Sequence, residues 1–132
     1  MRPGPSILLV IVACTLGGCG SSAKDQVRDK VNQFASATSH KDYATICNQV
    51  LSPALVKHLT ANGIACEKAM RLALGKVVKP TLSIGQITVK GKTANVITLT
   101  VAQGQPASLD VLQLIDTGGG WRISSLHSPL PS

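Results

Sequence analysis

The chain changes its hydrophobic period once, at Pro80. Before that residue, apolar side chains recur at helical spacing: Val27, Val31, Phe34 and Ala35 share one stripe, with Lys and Asp opposite. After it, Leu82–Lys90, Ala94–Ala102, Ala107–Asp116 and Trp121–Leu126 are rich in Val, Ile, Thr and Leu. Turn residues separate these runs at Gly91, Gly104-Gln105-Pro106 and Gly118-Gly119-Gly120. Helices followed by a meander bury their apolar faces most simply on one another. The pattern therefore predicts an α+β domain, with N-terminal helices packed in a strongly curved antiparallel sheet of about four strands. Alternation slips at Gly85-Gln86, where Leu82 and Ile84 are out of phase with Ile87 and Val89, which predicts a bulge that bends the first strand.

Local signals place the helices. Ser22 with Asp25 three residues on resembles a capping box. His40-Lys41 breaks that helix, and Asp42 caps a second one carrying Tyr43, Ile46, Cys47 and Val50 inward. Ser52-Pro53 combines an N-cap with proline at the first helical position, and Asn62-Gly63 is a stop signal. A last helix is expected over about 65–74, with Ala69, Met70, Ala73 and Leu74 inside and Gly75 ending it. Phe34, Tyr43 and Trp121 are the aromatic residues, so the core must be built from aliphatic side chains. At 132 residues there is room for one domain.

The first residues read as an address. Arg2 precedes an uncharged apolar run, Ile7–Leu16, far shorter than the roughly 20 residues a spanning helix needs. It has the length of a signal-peptide core. Leu16-Gly17-Gly18-Cys19 follows, and it resembles the lipobox of bacterial lipoproteins. The resemblance implies that Leu16, Gly17 and Gly18 are signal peptidase recognition residues. It also implies that Cys19 carries the lipid and becomes the first residue of the mature chain. Two rival readings exist: a lipobox ending at Cys14, with a much shorter apolar run, and ordinary cleavage near Ser21-Ser22-Ala23, which would release a secreted soluble protein. The expected organisation is a leader over 1–18, a tether over 19–23, a domain over 24–127 and a tail over 128–132.

The thirteen Lys and Arg against six Asp and Glu give net +7, and +6 once Arg2 is removed with the leader. The bases are dispersed and no aromatics are interleaved among them, so nucleic acid is a poor partner. A membrane surface suits a tethered basic domain better, and a merely solvated surface suits it equally well. With Cys14 cleaved away and Cys19 acylated, Cys47 and Cys66 are left, and outside the cytoplasm two such residues read as one disulfide. Free buried thiols and a metal site are the alternatives, but His40, His58 and His127 show no ligand spacing, so no metal is expected.

The order of elements, the Asp42-Tyr43 start to the second helix and the closing Gly120-Trp121-Arg122-Ile123 resemble the nuclear transport factor two-like superfamily. Its members wrap a curved sheet around a helical layer to form a cone. A strand that the family normally places between its second and third helices is not visible here. The family includes isomerases and dehydratases, in which a carboxylate or imidazole deep in the cone acts as base and a Tyr or Asp stabilises an oxyanion. That resemblance makes Asp110 and Tyr43 the candidate polar groups of a cavity. Asp110 is in phase with Leu112 and Leu114, while Leu109, Val111 and Ile115 take the other face. Both faces are apolar, so the sequence leaves its direction open. The plainer role for Asp110 is pairing with a Lys on a neighbouring strand. Asp42 reads as an N-cap, Asp116 as a turn residue and Trp121 as a core plug. Gly91-Lys92-Thr93 lacks the upstream glycine of a phosphate loop and reads as a hairpin turn.

No serine nucleophile elbow, His-Glu metal motif or pair of carboxylates at working spacing is present, and no cofactor is implied. The expectation is a membrane-anchored, non-catalytic envelope lipoprotein. It would bind a small apolar, lipid-like ligand in the concavity of its sheet or dock an envelope protein through that sheet. The alternative is a degenerate isomerase or hydratase with Asp110 as base.

Overall fold

A computed structural model describes residues 21–127; Leu16, Gly17, Gly18 and Cys19 lie outside the described residues, as does the tail over 128–132. The order is α1 (Ala23–Ser39), α2 (Tyr43–Thr45), a π-helix (Ile46–Val50), α3 (Pro53–Ala61), α4 (Cys66–Leu74), then β1 (Thr81–Lys90), β2 (Thr93–Val101), β3 (Ser108–Asp116) and β4 (Trp121–His127). The strands form one open antiparallel sheet in the order β1-β2-β3-β4. This is the α+β arrangement expected from the change of period at Pro80.

The helix starts follow from their caps. Ser22 Oγ accepts from the Asp25 amide at 3.2 Å and donates to the Asp25 carboxylate at 2.9 Å. Asp42 accepts from the Thr45 amide at 3.0 Å and from the Thr45 hydroxyl at 2.7 Å. These two hydrogen bonds hold its carboxyl below the usual carboxylate range. Ser52 Oγ accepts from the Leu55 amide, with Pro53 opening α3. Between α1 and α2 the chain reverses through Lys41, which sits at φ 54, while the amides of Lys41 and Asp42 bond back to Thr38 and Ala37. This is a Schellman closure in which a lysine occupies the left-handed position that usually takes glycine.

The second helix is longer than α2 alone, because the π-helix continues it. Tyr43, Ile46, Cys47 and Val50 are all buried, as their spacing predicted. The wider turn ends against cations borrowed from elsewhere. Lys30 Nζ donates to the Gln49 carbonyl at 3.0 Å and Arg122 Nη1 to the Asn48 carbonyl at 2.9 Å. Carbonyls at a helix end lack partners and carry partial negative charge, so both contacts are favourable. Burial lowers the Lys30 pKa below its ordinary value, and repulsion from Arg122 adds to the effect.

The core lies between α1, the π-helix and one half of the sheet. Val27, Val31, Ile46, Val50, Leu51, Val96, Leu112, Leu114, Trp121 and Ile123 are its buried centre. Each fully buried Val, Leu or Ile contributes roughly 1.5–3 kcal/mol. Ala73, expected inside, is exposed: α4 turns Cys66 and Met70 to the core instead. Cys47 and Cys66 form a disulfide with a Cα–Cα distance of 6.0 Å, tying the π-helix to the start of α4. The link closes a 19-residue separation, a constraint of about 3 kcal/mol on the chain-entropy estimate.

The sheet bends where its pairing slips, between Ile84 and Ile87 on β1 and between Gln113 and Leu114 on β3. At the first bulge a Cβ on Gly85 would lie 3.2 Å from the Ile97 carbonyl oxygen, so a side chain there would push on the neighbouring strand. Between the π-helix and α3 the chain makes a single parallel bridge, Leu51 to Ile123, with the Ser52 amide donating to the Ile123 carbonyl at 2.8 Å.

Candidate functional site

The inner face of the sheet changes character halfway along β2 and β3. Reading across the pair, Ala94 faces Leu114 and Val96 faces Leu112; then Thr98 faces Asp110 and Thr100 faces Ser108. The two apolar pairs are covered by the helices. The two polar pairs line a cavity of about 260 Å³, roofed by Phe34, Ala35 and Thr38 of α1 and walled by Leu74, Val77, Pro80, Leu82 and Leu126. Gln105 and Pro106, in the loop between β2 and β3, stand at its margin. That volume lies just below the usual range of small-molecule sites, about 300–1,000 Å³.

The direction of Asp110, which the sequence left open, is settled by its neighbours in phase. Leu112 and Leu114 are 3% and 1% exposed, whereas Leu109 and Ile115 are 51% and 37% exposed. Asp110 therefore points to the concave side and lines the cavity, where it is half-buried. Its expected pairing with a strand lysine is not seen. The Ser108 hydroxyl, two residues away on the same face, lies 3.1 and 3.0 Å from its two carboxylate oxygens. The Lys and Arg side chains of β1 and β4 lie outside the lining, because Lys90 is at the far hairpin and Arg122 reaches the π-helix.

Tyr43, the other polar group expected in the cavity, is placed outside its lining, which corrects that expectation. It opens α2 and is buried in the core, with the Arg71 guanidinium 5.7 Å from its ring centre. The phase that sends Ile46, Cys47 and Val50 of the π-helix into the core carries Tyr43 with them, toward Arg71 of α4. Trp121 is likewise a core residue, at the start of β4. Asp116 accepts from the Gly118 amide at 3.0 Å, as a turn residue should.

Sequence reasoning missed the cavity's other polar groups. Thr98 is buried, and its hydroxyl reaches the Asp110 carbonyl at 3.4 Å. Thr38 Oγ1 is buried on the α1 side with no hydrogen-bond partner among the described residues. Thr in a strand or helix is unremarkable in composition; the signal available was the phase of Thr98 and Thr100 with Val96, which put two hydroxyls on the inner face.

The outer face of the same strands is also distinctive. Ile97, Leu99, Val101 and Leu109 are exposed, with Leu99 directly opposite Leu109. Among the described residues no helix is long and apolar enough to cross a membrane. No protein-family model, curated protein or solved structure matches this chain.

Proposed function

We propose that this protein is a non-catalytic binding protein of the bacterial cell envelope, anchored through a lipid on Cys19, which holds a small, largely apolar ligand in the concavity of its sheet. The observation that carries the reading is the cavity of about 260 Å³, whose walls are mostly aliphatic and four of whose polar groups, Thr98, Thr100, Ser108 and Asp110, sit together on β2 and β3. Apolar walls with a few convergent polar groups are the usual composition of a small-molecule site. The short apolar run before Leu16-Gly17-Gly18-Cys19 supports the anchor, and the Cys47–Cys66 disulfide accords with an oxidising compartment.

Two readings stand behind this one. The exposed ladder of Ile97, Leu99, Val101 and Leu109 supports docking of an envelope protein to the outer sheet face. Asp110 as the base of an isomerase or hydratase is less well supported. A base needs a second polar group positioned for the developing charge, and beside Asp110 the lining offers hydroxyls and the Gln105 amide.

Two measurements test the proposal. Intact mass of the protein from the host membrane fraction should start at Cys19 and carry a diacylglyceryl group; a lipid-free mass beginning near Lys24 would overturn the anchor. Titration with the uncharged fluorophore N-phenyl-1-naphthylamine should give saturable binding that Ala35→Trp, which fills the cavity from α1, abolishes. Saturable binding unchanged by that plug would place the dye elsewhere, on a surface such as the outer sheet face, and overturn the cavity reading.

A further inference from the structure

The chain carries more than twice as many basic as acidic residues, yet among the described residues the one formal charge in the cavity lining is the carboxylate of Asp110. Among the described residues no Lys, Arg or His shares that lining, and no ion pair to Asp110 occurs. Its side-chain hydrogen bonding is to the Ser108 hydroxyl. A hydroxyl has one hydrogen, so it cannot satisfy two carboxylate oxygens with about four acceptor sites between them. Across the cavity, Thr38 Oγ1 is buried without a partner among the described residues. The site thus pairs unspent acceptor capacity and a negative charge with aliphatic walls.

Resting on the reading of this cavity as a ligand site, we propose that its ligand is an organic ammonium compound: a protonated amine on one short apolar body. The ammonium donates to Asp110, and the apolar body lies against Phe34, Leu74, Val77 and Leu82. The Thr38 hydroxyl meets the ligand's polar end or a neighbouring hydroxyl. A carboxylate or phosphate head is rejected, because it would face Asp110 with no cation to offset it. The volume sets the size: a two-chain phospholipid exceeds it, whereas a single short chain fits.

The test uses three probes with one eight-carbon chain and different heads: octylamine, octanol and octanoate, each titrated calorimetrically into the lipid-anchored protein in detergent at pH 7. Octylamine should bind roughly 10- to 100-fold more tightly than octanol, the range expected for one charge-assisted hydrogen bond. Octanoate should not bind detectably. In Asp110→Asn the preference for octylamine over octanol should fall to about 1, with octanol affinity retained. Thr100→Lys keeps Asp110 and gives it an internal cation from the neighbouring strand, so octylamine affinity should fall at least about 10-fold there too. This second variant serves if Asp110→Asn fails to fold. Equal binding of all three probes, or an amine preference that survives both substitutions, overturns the ammonium assignment while leaving the cavity a ligand site. Failure of all three to bind, with N-phenyl-1-naphthylamine also failing, overturns the cavity reading itself.

Discussion

Strands β2 and β3 are built twice over from the same backbone, and the two halves of their inner face behave in opposite ways. Where Ala94, Val96, Leu112 and Leu114 project inward, α1 and the π-helix close down and exclude water. Where Thr98, Thr100, Ser108 and Asp110 project, the same sheet stands off from α1 and leaves a cavity. The β2–β3 register is constant across the boundary, while β1 carries its bulge there, opposite Val96–Thr98, so side-chain chemistry and the bend of β1 act together. Aliphatic pairs reward contact at roughly 25 cal/mol per Å² buried, whereas hydroxyls and a carboxylate lose water without finding enough partners. A fold can therefore open a site where a change of side chains on two strands coincides with a bulge on a third, while its topology stays fixed.

The sharpest way to break this comparison is to damage the filled half. Leu114→Ala should cost about 2–5 kcal/mol in urea unfolding, since it removes a fully buried side chain and leaves a void. A loss under 1 kcal/mol would mean the filled half is loosely packed. Removing the staple behind it, with Cys47→Ala and Cys66→Ala together, should cost about 3 kcal/mol. That loss should match the effect of a reducing agent on the native chain.

The open half should respond in the other direction. Thr38→Val replaces a buried, unpartnered hydroxyl with a methyl group, and the protein should gain roughly 1 kcal/mol. A loss instead would show that the hydroxyl has a structural partner, and the contrast between the halves would weaken.

The smallest effect is electrostatic and concerns the entry to the filled half. Asp42 caps α2, and its pKa is lowered by hydrogen bonds from Thr45. A carboxyl with a depressed folded-state pKa stabilises the fold fully above its ordinary value of 3.8, and that contribution disappears as pH falls through the lower folded value. The Tm difference between native protein and Asp42→Ala should be constant near neutral pH and narrow below about pH 4. A difference that widened with acid would contradict the cap.

Much of the architecture was legible because it is encoded locally. Ser52-Pro53, Asn62-Gly63, Gly91-Lys92 and the slip at Gly85-Gln86 each specify backbone geometry through residues within a few positions, and each reappears in the structure. The π-helix was not legible, since its carbonyls are satisfied by Lys30 and Arg122, one far upstream and one far downstream. The direction of Asp110 was hidden for a related reason. Both faces of β3 are apolar, and which one meets the helices is fixed by α1 and the π-helix rather than by β3 itself. Tyr43 was misplaced because its chemistry, not its helical phase, suggested the cavity.

The bridge from Leu51 to Ile123 and the bond from Arg122 to Asn48 also put the molecule's parts in a temporal order. β4 is the last of the described elements in chain order, yet it completes the end of the π-helix and the entry to α3, both synthesised some seventy residues earlier. The helical layer is thus translated before the strand that finishes it. Contacts of such long sequence separation slow folding, because loop-closure entropy is lost before they form.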